Sequence, residues 1–509
     1  MNVDLVPEGA ASATRGNVIL FFPRFRGTPY PVWMPLEVMT IATALWKAGY
    51  RVRVLDERLV PDAEAYLLRE AKDALFVGFS ARPGDQVLRT GELCFALKRR
   101  YPALPIVLGG WFPSVFPQAC LGVDPLDIVV MGQGDVAVVE IAERLRAGRD
   151  MSGLPGVLAR TDGRVIENPR RPLEDMNDTP RIPYDRFPVQ HYVTRDGCLN
   201  YYTSRGCPAT CGFCAVPAVY PRQWTGYAAE RVLDEMEYLA THHGVKIFKL
   251  LDTNFFPDLD RARAICRGLI ERRLDIRWVV DGRVHEIVRF DEAMWDLLAR
   301  SGCRELETGG EAGCDEHLSR IRKECTVAEI HEAARLTVGH GISFRVNFIL
   351  GLEGQARSEL LAILRLAERL QALGERVKMQ FYRYTPIPVT DLGHETWSVV
   401  RRGHDGSVPR DVESIMRIPI NHDEADLFWL SPSQERRVKR LYYLYLPLVY
   451  YLRDGAHSGL KGWGLRGLKA CARYRVRHGV TAFPLERWLL KWIQPDLPRS
   501  REFEWQQET

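Results

Sequence analysis

The sequence predicts an α/β protein made of two runs of strand–helix alternation followed by a helical C-terminal region. Three observations carry this. Five short apolar runs alternate with helical patterns over residues 18–148, six more alternate with longer helices from Asn200 to about residue 390, and the strand signal then stops. Continuous apolar strands between helices imply parallel sheets covered on both faces.

In the first run the predicted strands are Val18–Phe22, Val52–Asp56, Leu75–Ser80, Ile106–Gly110 and Ile128–Gly132, with helices over Leu36–Ala48, Gln86–Arg100 and Val136–Ala147. Such units suit a doubly wound, flavodoxin-like domain over residues 1–150, which takes ligands outside the carboxyl ends of its strands. Residues 151–198 change character. Proline and aspartate become frequent, and Val157–Arg160 and Val165–Asn168 flank Asp162-Gly163, a good hairpin turn. This reads as a connector that lies against its neighbours.

The second run, residues 199–392, places strands at Tyr201–Ser204, Lys246–Leu251, Ile276–Val280, Glu305–Thr308, Phe344–Leu350 and Met379–Tyr384. Helices at Glu230–Thr241, Leu259–Arg272, Glu292–Ser301, Val327–Gly339 and Ser358–Leu373 separate them. Six such units suit a partial or complete parallel (β/α)6 barrel with its chemistry at the carboxyl ends of the strands. Residues 393–509 read as helical, with Trp429, Trp463, Trp488 and Trp492 among amphipathic stretches.

A net charge of +4 over 509 residues gives no reason to expect nucleic acid or an acidic membrane surface as the partner. The stretch Met1–Gly16 has no basic start followed by an apolar run, so no secretion signal is expected. Leu441–Leu452 is the most lipid-like segment, yet it is too short for a transmembrane span and is broken by Pro447. A core helix is its first reading. An interfacial helix in peripheral membrane contact, or the wall of an apolar substrate channel, comes second. The eleven cysteines are odd in number and scattered apart from one cluster, which implies reduced thiols and a cytoplasmic location.

That cluster is Thr203-Ser204-Arg205-Gly206-Cys207-Pro208-Ala209-Thr210-Cys211-Gly212-Phe213-Cys214. Three thiolates on one Gly- and Pro-containing loop can reach three irons of a cube and leave the fourth open to a ligand. The plainer alternatives are a zinc site with a remote fourth ligand, or three unrelated buried thiols. Zinc sites more often pair two Cys-x2-Cys units, and only one occurs here. The Cys-x3-Cys-x2-Cys spacing, with Phe213 before the last cysteine, resembles the signature of the radical S-adenosylmethionine (SAM) superfamily. The resemblance implies that Cys207, Cys211 and Cys214 hold a [4Fe-4S] cluster whose open iron chelates SAM. An electron from the cluster then cleaves SAM to a 5′-deoxyadenosyl radical, and Phe213 would pack near the adenine.

Later strand ends resemble the cobalamin-type members. Leu251-Asp252-Thr253-Asn254-Phe255 is similar to the polar segment after their second strand. Glu307-Thr308-Gly309-Gly310-Glu311-Ala312 resembles their Gly-x-Glu-Ser element, with Ala312 for the serine. Phe348–Gln355 resembles Phe-Ile-x-Gly-x-Pro-Gly-Glu with Glu353 for Pro, and Thr385–Leu392 resembles Pro-x-Pro-Gly-Thr-x-Leu with Val389 for Gly. The implied cofactor-binding residues are Phe213, Asp252, Thr253, Asn254, Gly309, Gly310 and Glu311. Taken singly, such a glutamate is more often a solvated carboxylate, and the glycines serve tight turns. Their order along successive strand ends carries the inference.

In the first run, Ile106–Ser114 and Asp127–Asp135 resemble the Gly-Gly-x-His-Pro-Thr and Gly-Glu-Gly-Glu elements of cobalamin-binding domains. Phe112 replaces the histidine, Gln133 the first glutamate and Asp135 the second. The resemblance implies cobalamin beside Ser80, Gly109, Gly110, Gly132 and Gly134. A nucleotide site, or a domain that binds nothing, stays open, although Pro23-Arg24-Phe25-Arg26 stands where a Gly-x-Gly-x-x-Gly fingerprint would be. No histidine precedes His191, so cobalt receives no histidine ligand from this domain, and the loops Arg24–Trp33 and Ser80–Gln86 would shape its lower face.

The resemblance covers roughly residues 18–395. It implies a class B radical SAM methyltransferase that methylates an unactivated carbon of a small biosynthetic intermediate; separately, the aromatic content of the C-terminal region suggests an apolar or planar substrate. Electrons would come from a donor such as flavodoxin or ferredoxin. No residue for the catalytic proton or hydrogen transfer is identified. One alternative is a radical cyclisation without methyl transfer, as in the anaerobic magnesium-protoporphyrin monomethyl ester cyclase. A non-catalytic scaffold or Fe–S sensor has no need of three clustered thiolates. A methylthiolase would need a second cluster, for which Cys94, Cys120 and Cys198 are too dispersed.

Overall fold

The structure is a computed structural model that describes residues 2–7, 14–25, 32–82, 84–122, 125–161, 163–387, 389–394, 430–446, 449–450 and 459–478. Asp162, Trp429, Pro447, Trp488, Trp492 and part of the Arg24–Trp33 loop lie outside the described residues, as does the side chain of Trp463. The chain divides into two compact units. The first comprises Met1–Ala209 and Ala215–Thr253; the second comprises Thr210–Cys214 and the described residues from Asn254 onward.

The first unit holds an eight-stranded sheet of β1 (Asn2–Leu5), β2 (Asn17–Phe22), β3 (Arg51–Asp56), β4 (Ala74–Ser80), β5 (Ile106–Gly109), β6 (Ile128–Val130), β7 (Val157–Thr161) and β8 (Arg164–Glu167). Its order is β1-β3-β2-β4-β5-β6-β7-β8. The five parallel strands β3-β2-β4-β5-β6 reproduce the flavodoxin-like order, with the direction of winding reversing between β2 and β4. Val18, Phe21, Val54, Phe76, Ile106 and Val129 are buried, as a sheet covered on both faces requires. The connector's hairpin β7–β8 continues this sheet, because β7 pairs antiparallel with β6. The edge strand β1, too short to stand out in the sequence, pairs antiparallel with β3.

The same unit carries β9 (Cys198–Tyr201) parallel to β12 (Ile247–Leu250), and an antiparallel ribbon of β10 (Ser204–Gly206) and β11 (Trp224–Gly226). The first strand of the second run therefore lies earlier than the expected Tyr201–Ser204. Thr203 and Ser204 direct their hydroxyls to Asp252 and leave the strand, so β-propensity gives way to a side-chain anchor.

The second unit contains β13 (Arg277–Asp281), β14 (Cys303–Glu311), β15 (Ser343–Leu350) and β16 (Val377–Arg383), paired parallel in chain order. Helices Leu259–Glu271, Glu292–Arg300, Val327–Gly339 and Arg357–Gln371 alternate with them. Leu306, Phe344, Val346 and Phe348 are buried on one face. The other face is polar: Arg345 Nε lies 2.7 Å from Glu305 and 3.2 Å from Glu307, and Lys378 Nζ lies 2.6 Å from Glu305. Burial opposes the charge of Glu305, but Arg345 and Lys378 outweigh it and hold its carboxyl at about 2.

Beyond the strands stand helices Pro432–Arg440 and Gly459–His478, with Leu441–Tyr445 wound as a π-helix. Leu441, Leu444, Tyr445, Leu446 and Val449 are buried, and Tyr450 packs against Phe381 at 5.3 Å between ring centroids. These described residues form core. Among the described residues no helix is long and apolar enough to cross a membrane.

Candidate active site

The carboxyl ends of β4, β5 and β6 gather the residues expected to face cobalamin. Gly110, with φ of 100°, lies so close to β4 that a Cβ would stand 2.9 Å from Ser80 Oγ and 3.0 Å from Ala81 N. Ser114 links the two glycine motifs: its Oγ donates to the Gly110 carbonyl at 2.6 Å and accepts from Gly132 N at 3.0 Å. Gly132 (φ 76°) is less crowded, a Cβ meeting only the Val219 carbonyl at 3.4 Å. Gly110 thus serves strand-to-strand packing, while Gly109, Gly132 and Gly134 leave bare backbone at the sheet edge. Positive-φ glycines and hydroxyls at adjacent strand ends fit a bulky planar ligand held by backbone contacts. Without a histidine in this part of the chain, Ser80, Gly109, Gly132 and Gly134 would hold cobalamin with no imidazole from below.

Still within the first unit, every residue leading to the first cysteine has its own anchor. The Asp252 carboxylate accepts from Thr203 N at 2.6 Å, Thr203 Oγ1 at 2.6 Å and Ser204 Oγ at 2.5 Å. Arg205 is half-buried, donating from Nη1 to the buried Asp135 Oδ2 at 2.5 Å and from Nη2 to the Tyr202 hydroxyl at 2.6 Å. Burial opposes its charge, but Asp135 outweighs it and raises the guanidinium well above its ordinary value. Gly206 (φ 84°) lies on the ribbon where a Cβ would overlap the Gln223 carbonyl oxygen. Further back, the Asn200 amide pairs with the backbone of Met34, accepting from its N at 2.7 Å and donating to its O at 3.0 Å. Asp135 closes the Gly132–Asp135 motif, so one buried ion pair joins that motif to the segment before Cys207.

The tip of the cysteine loop belongs to the second unit and rests on residues 321–324. Gly212 N donates to Ile321 O at 2.9 Å, Leu392 N donates to Gly212 O at 3.0 Å, and Thr210 Oγ1 donates to Glu324 at 3.3 Å. Lys323 was not expected from sequence. Its ammonium is buried 2.9 Å from Glu311 Oε1 and 5.8 Å from the Phe213 ring centroid. Gly309 makes room for this pair, since a Cβ there would overlap Glu311 Oε1 and stand 2.5 Å from Lys323 Nζ. Gly310 packs under Val346 and Phe348. Asn254 is buried and donates to Glu286 at 2.8 Å, whereas Thr253 is exposed. Of the expected SAM-site residues, Phe213, Gly309 and Glu311 come together here; Asp252 serves the loop, and Asn254 turns to Glu286.

The thiols divide by environment. Burial pushes Cys120 and Cys266 up to about 12, and Cys94 and Cys303 higher still, which makes them poor thiolates. Cys207, Cys211 and Cys214 are half-buried, free of disulfides, and consecutive on one loop. Among the described residues no three His, Cys, Asp or Glu side chains gather as around a single ion. A cubane asks for less convergence, because each thiolate takes a different iron. Three half-buried thiols on an anchored loop fit a [4Fe-4S] cluster with Cys207, Cys211 and Cys214 as ligands.

Comparison with known proteins bears on this arrangement. The family model of the Radical SAM superfamily matches residues 201–367, and that of the B12 binding domain matches residues 25–142. An uncharacterized methyltransferase of Pyrococcus horikoshii is 30% identical over 291 residues, which are 56% of this chain and 62% of that protein. The anaerobic magnesium-protoporphyrin IX monomethyl ester cyclase of Rubrivivax gelatinosus is 27% identical over 381 residues, 71% of this chain and 66% of the cyclase. The matches thus span just under two thirds of either relative's length. The solved structure of the cobalamin-dependent S-adenosylmethionine radical enzyme OxsB with aqua-cobalamin bound superposes with a TM-score of 0.71 at 16% identity, covering 94% of this chain and 75% of that one. At that identity the likeness is one of fold, and it is the mixed α/β fold the sequence predicts. Residues 201–367 thus carry a radical SAM domain and residues 25–142 a B12-binding domain, whose cofactors are a [4Fe-4S] cluster with SAM, and cobalamin.

Proposed function

We propose that this protein cleaves SAM reductively with a cluster held by Cys207, Cys211 and Cys214 and, with cobalamin at the β4–β6 edge, methylates an unactivated carbon of a small biosynthetic intermediate. When bound, the cluster supplies the electron for SAM cleavage and the cobalamin carries the methyl group. The observation that best supports the reading is the anchoring of the cysteine loop. Asp252 and the Arg205–Asp135 pair fix the approach to Cys207, and Arg205 reaches the motif that ends β6. Glu311 and Lys323 lie buried and paired at the strand end, with Lys323 facing the Phe213 ring. An external one-electron donor of the flavodoxin or ferredoxin type supplies the reductant, and the apolar content of the C-terminal region suits an apolar or planar substrate.

A second reading, radical cyclisation without methyl transfer, is favoured by the longer match to the Rubrivivax cyclase. The two are separated anaerobically, by adding SAM and a strong reductant to the reconstituted, cobalamin-supplied protein and quantifying SAM-derived products by mass spectrometry. Methyl transfer predicts both 5′-deoxyadenosine and S-adenosylhomocysteine; cyclisation predicts deoxyadenosine alone. Neither product from a protein with an intact cluster would end both readings.

A further inference from the structure

We propose that the buried Lys323–Glu311 pair sets the reduction potential of the cluster on the adjoining cysteine loop, Lys323 favouring the reduced state and Glu311 opposing it. This rests on the cluster assignment above, and adds a role for two charges that do not touch the iron.

The backbone is shaped to aim this pair. Glu311, Arg322 and Glu324 all adopt left-handed conformations, with φ of 58°, 55° and 57°. Non-glycine residues rarely accept this unless the surroundings over-determine it. Arg322 and Glu324 flank Lys323, so its direction is fixed from both sides. Arg283 Nη2 holds the Lys323 carbonyl at 3.1 Å and Glu324 at 2.8 Å, and the loop tip hangs from Ile321 and Glu324. Gly309 leaves the space in which the pair sits. Burial opposes the Lys323 charge, but Glu311 and then Cys211 outweigh it and hold the ammonium above its ordinary range. A full charge removed from water acts strongly on its neighbours, because little solvent screens it.

One-electron reduction by an external donor adds one negative charge to the thiolate-ligated cluster. A neighbouring cation stabilises that added charge, and a neighbouring anion destabilises it. The two single substitutions must therefore act with opposite sign. Loss of packing or of fold cannot do that.

The test is a redox titration followed by electron paramagnetic resonance on the full-length, reconstituted protein without SAM. Lys323→Met is expected to shift the reduction equilibrium at fixed potential about tenfold toward the oxidised cluster, which is about 59 mV for one electron. Glu311→Gln is expected to shift it toward the reduced cluster, and the double variant to return near the wild type. Lys323→Arg, which keeps the charge, is expected to keep the potential. Should Lys323→Met fail to hold a cluster, the sign of the Glu311→Gln shift decides. Shifts of the same sign in both single variants, or no shift beyond about twofold in either, overturn the proposal, as does a wild-type protein that builds no [4Fe-4S] cluster. Opposite shifts in a protein that does not cleave SAM would uphold it while refuting the proposed reaction.

Discussion

Replacing Asp135 with asparagine removes the counter-charge of Arg205 and leaves every other contact of the guanidinium in place. The magnitude follows from burial. The two side chains retain 12% and 4% of their exposure, and their charged atoms are 2.5 Å apart. An exposed pair would be worth about 0–1 kcal/mol, whereas breaking a buried one costs about 3–5 kcal/mol because a charge stays stranded. Set against a typical total stability of about 5–15 kcal/mol, that is a large fraction. For a domain of this size it lowers Tm on the order of 10 °C. The assay is anaerobic thermal denaturation of the cluster-free chain, followed by iron content after reconstitution. Asp135→Asn is expected to lower both. Asp135→Glu, the residue more usual at this position in the resembling domains, is expected to restore most of each. A Tm within about 2 °C of wild type for Asp135→Asn would refute the view that this ion pair anchors the cysteine loop.

Gly206→Ala places a Cβ on the Gln223 carbonyl oxygen at a left-handed φ, and is expected to cost about 2–4 kcal/mol and most of the iron retained on desalting. Gly212→Ala meets the side-chain end of Arg322 at 3.2 Å and Leu392 at an ordinary 3.5 Å, with no backbone in the way, so iron retention close to wild type is the contrasting expectation. Burial holds His317 down at about 4, with Glu359 at 3.7 Å and Arg320 acting in opposite directions. Because the unfolded chain then binds the proton more readily, the contribution of His317 to stability is full above about pH 6.5 and fades as pH falls toward 4. Thermal denaturation at successive pH values should show a smaller acid loss for His317→Asn than for wild type; equal losses would refute a buried neutral imidazole.

Where local chemistry decides an element, the sequence was readable. The helix Val327–Gly339 has the expected bounds because Thr326 and Glu329 cap each other across its first turn. The strand ends that gather Ser80, Gly110 and Gly132 were found because central parallel strands are apolar throughout. The expected start of the second run, Tyr201, falls three residues after β9 begins, since Thr203 has β-propensity and the true partner of Thr203 and Ser204, Asp252, is remote in sequence. Lys323 could not be found for a similar reason. It reaches Glu311 only through the left-handed turns at Arg322 and Glu324, which no glycine marks. The one available signal was Gly309, whose missing side chain leaves the space that the pair fills.

The most direct test of the central claim is Mössbauer and electron paramagnetic resonance spectroscopy of the anaerobically reconstituted chain, before and after addition of SAM. The account predicts one [4Fe-4S] cluster per chain whose reduced-state signal changes on SAM binding, and no cluster once Cys207, Cys211 and Cys214 are all alanine. A cluster that persists without the three thiols, or one indifferent to SAM, would contradict it.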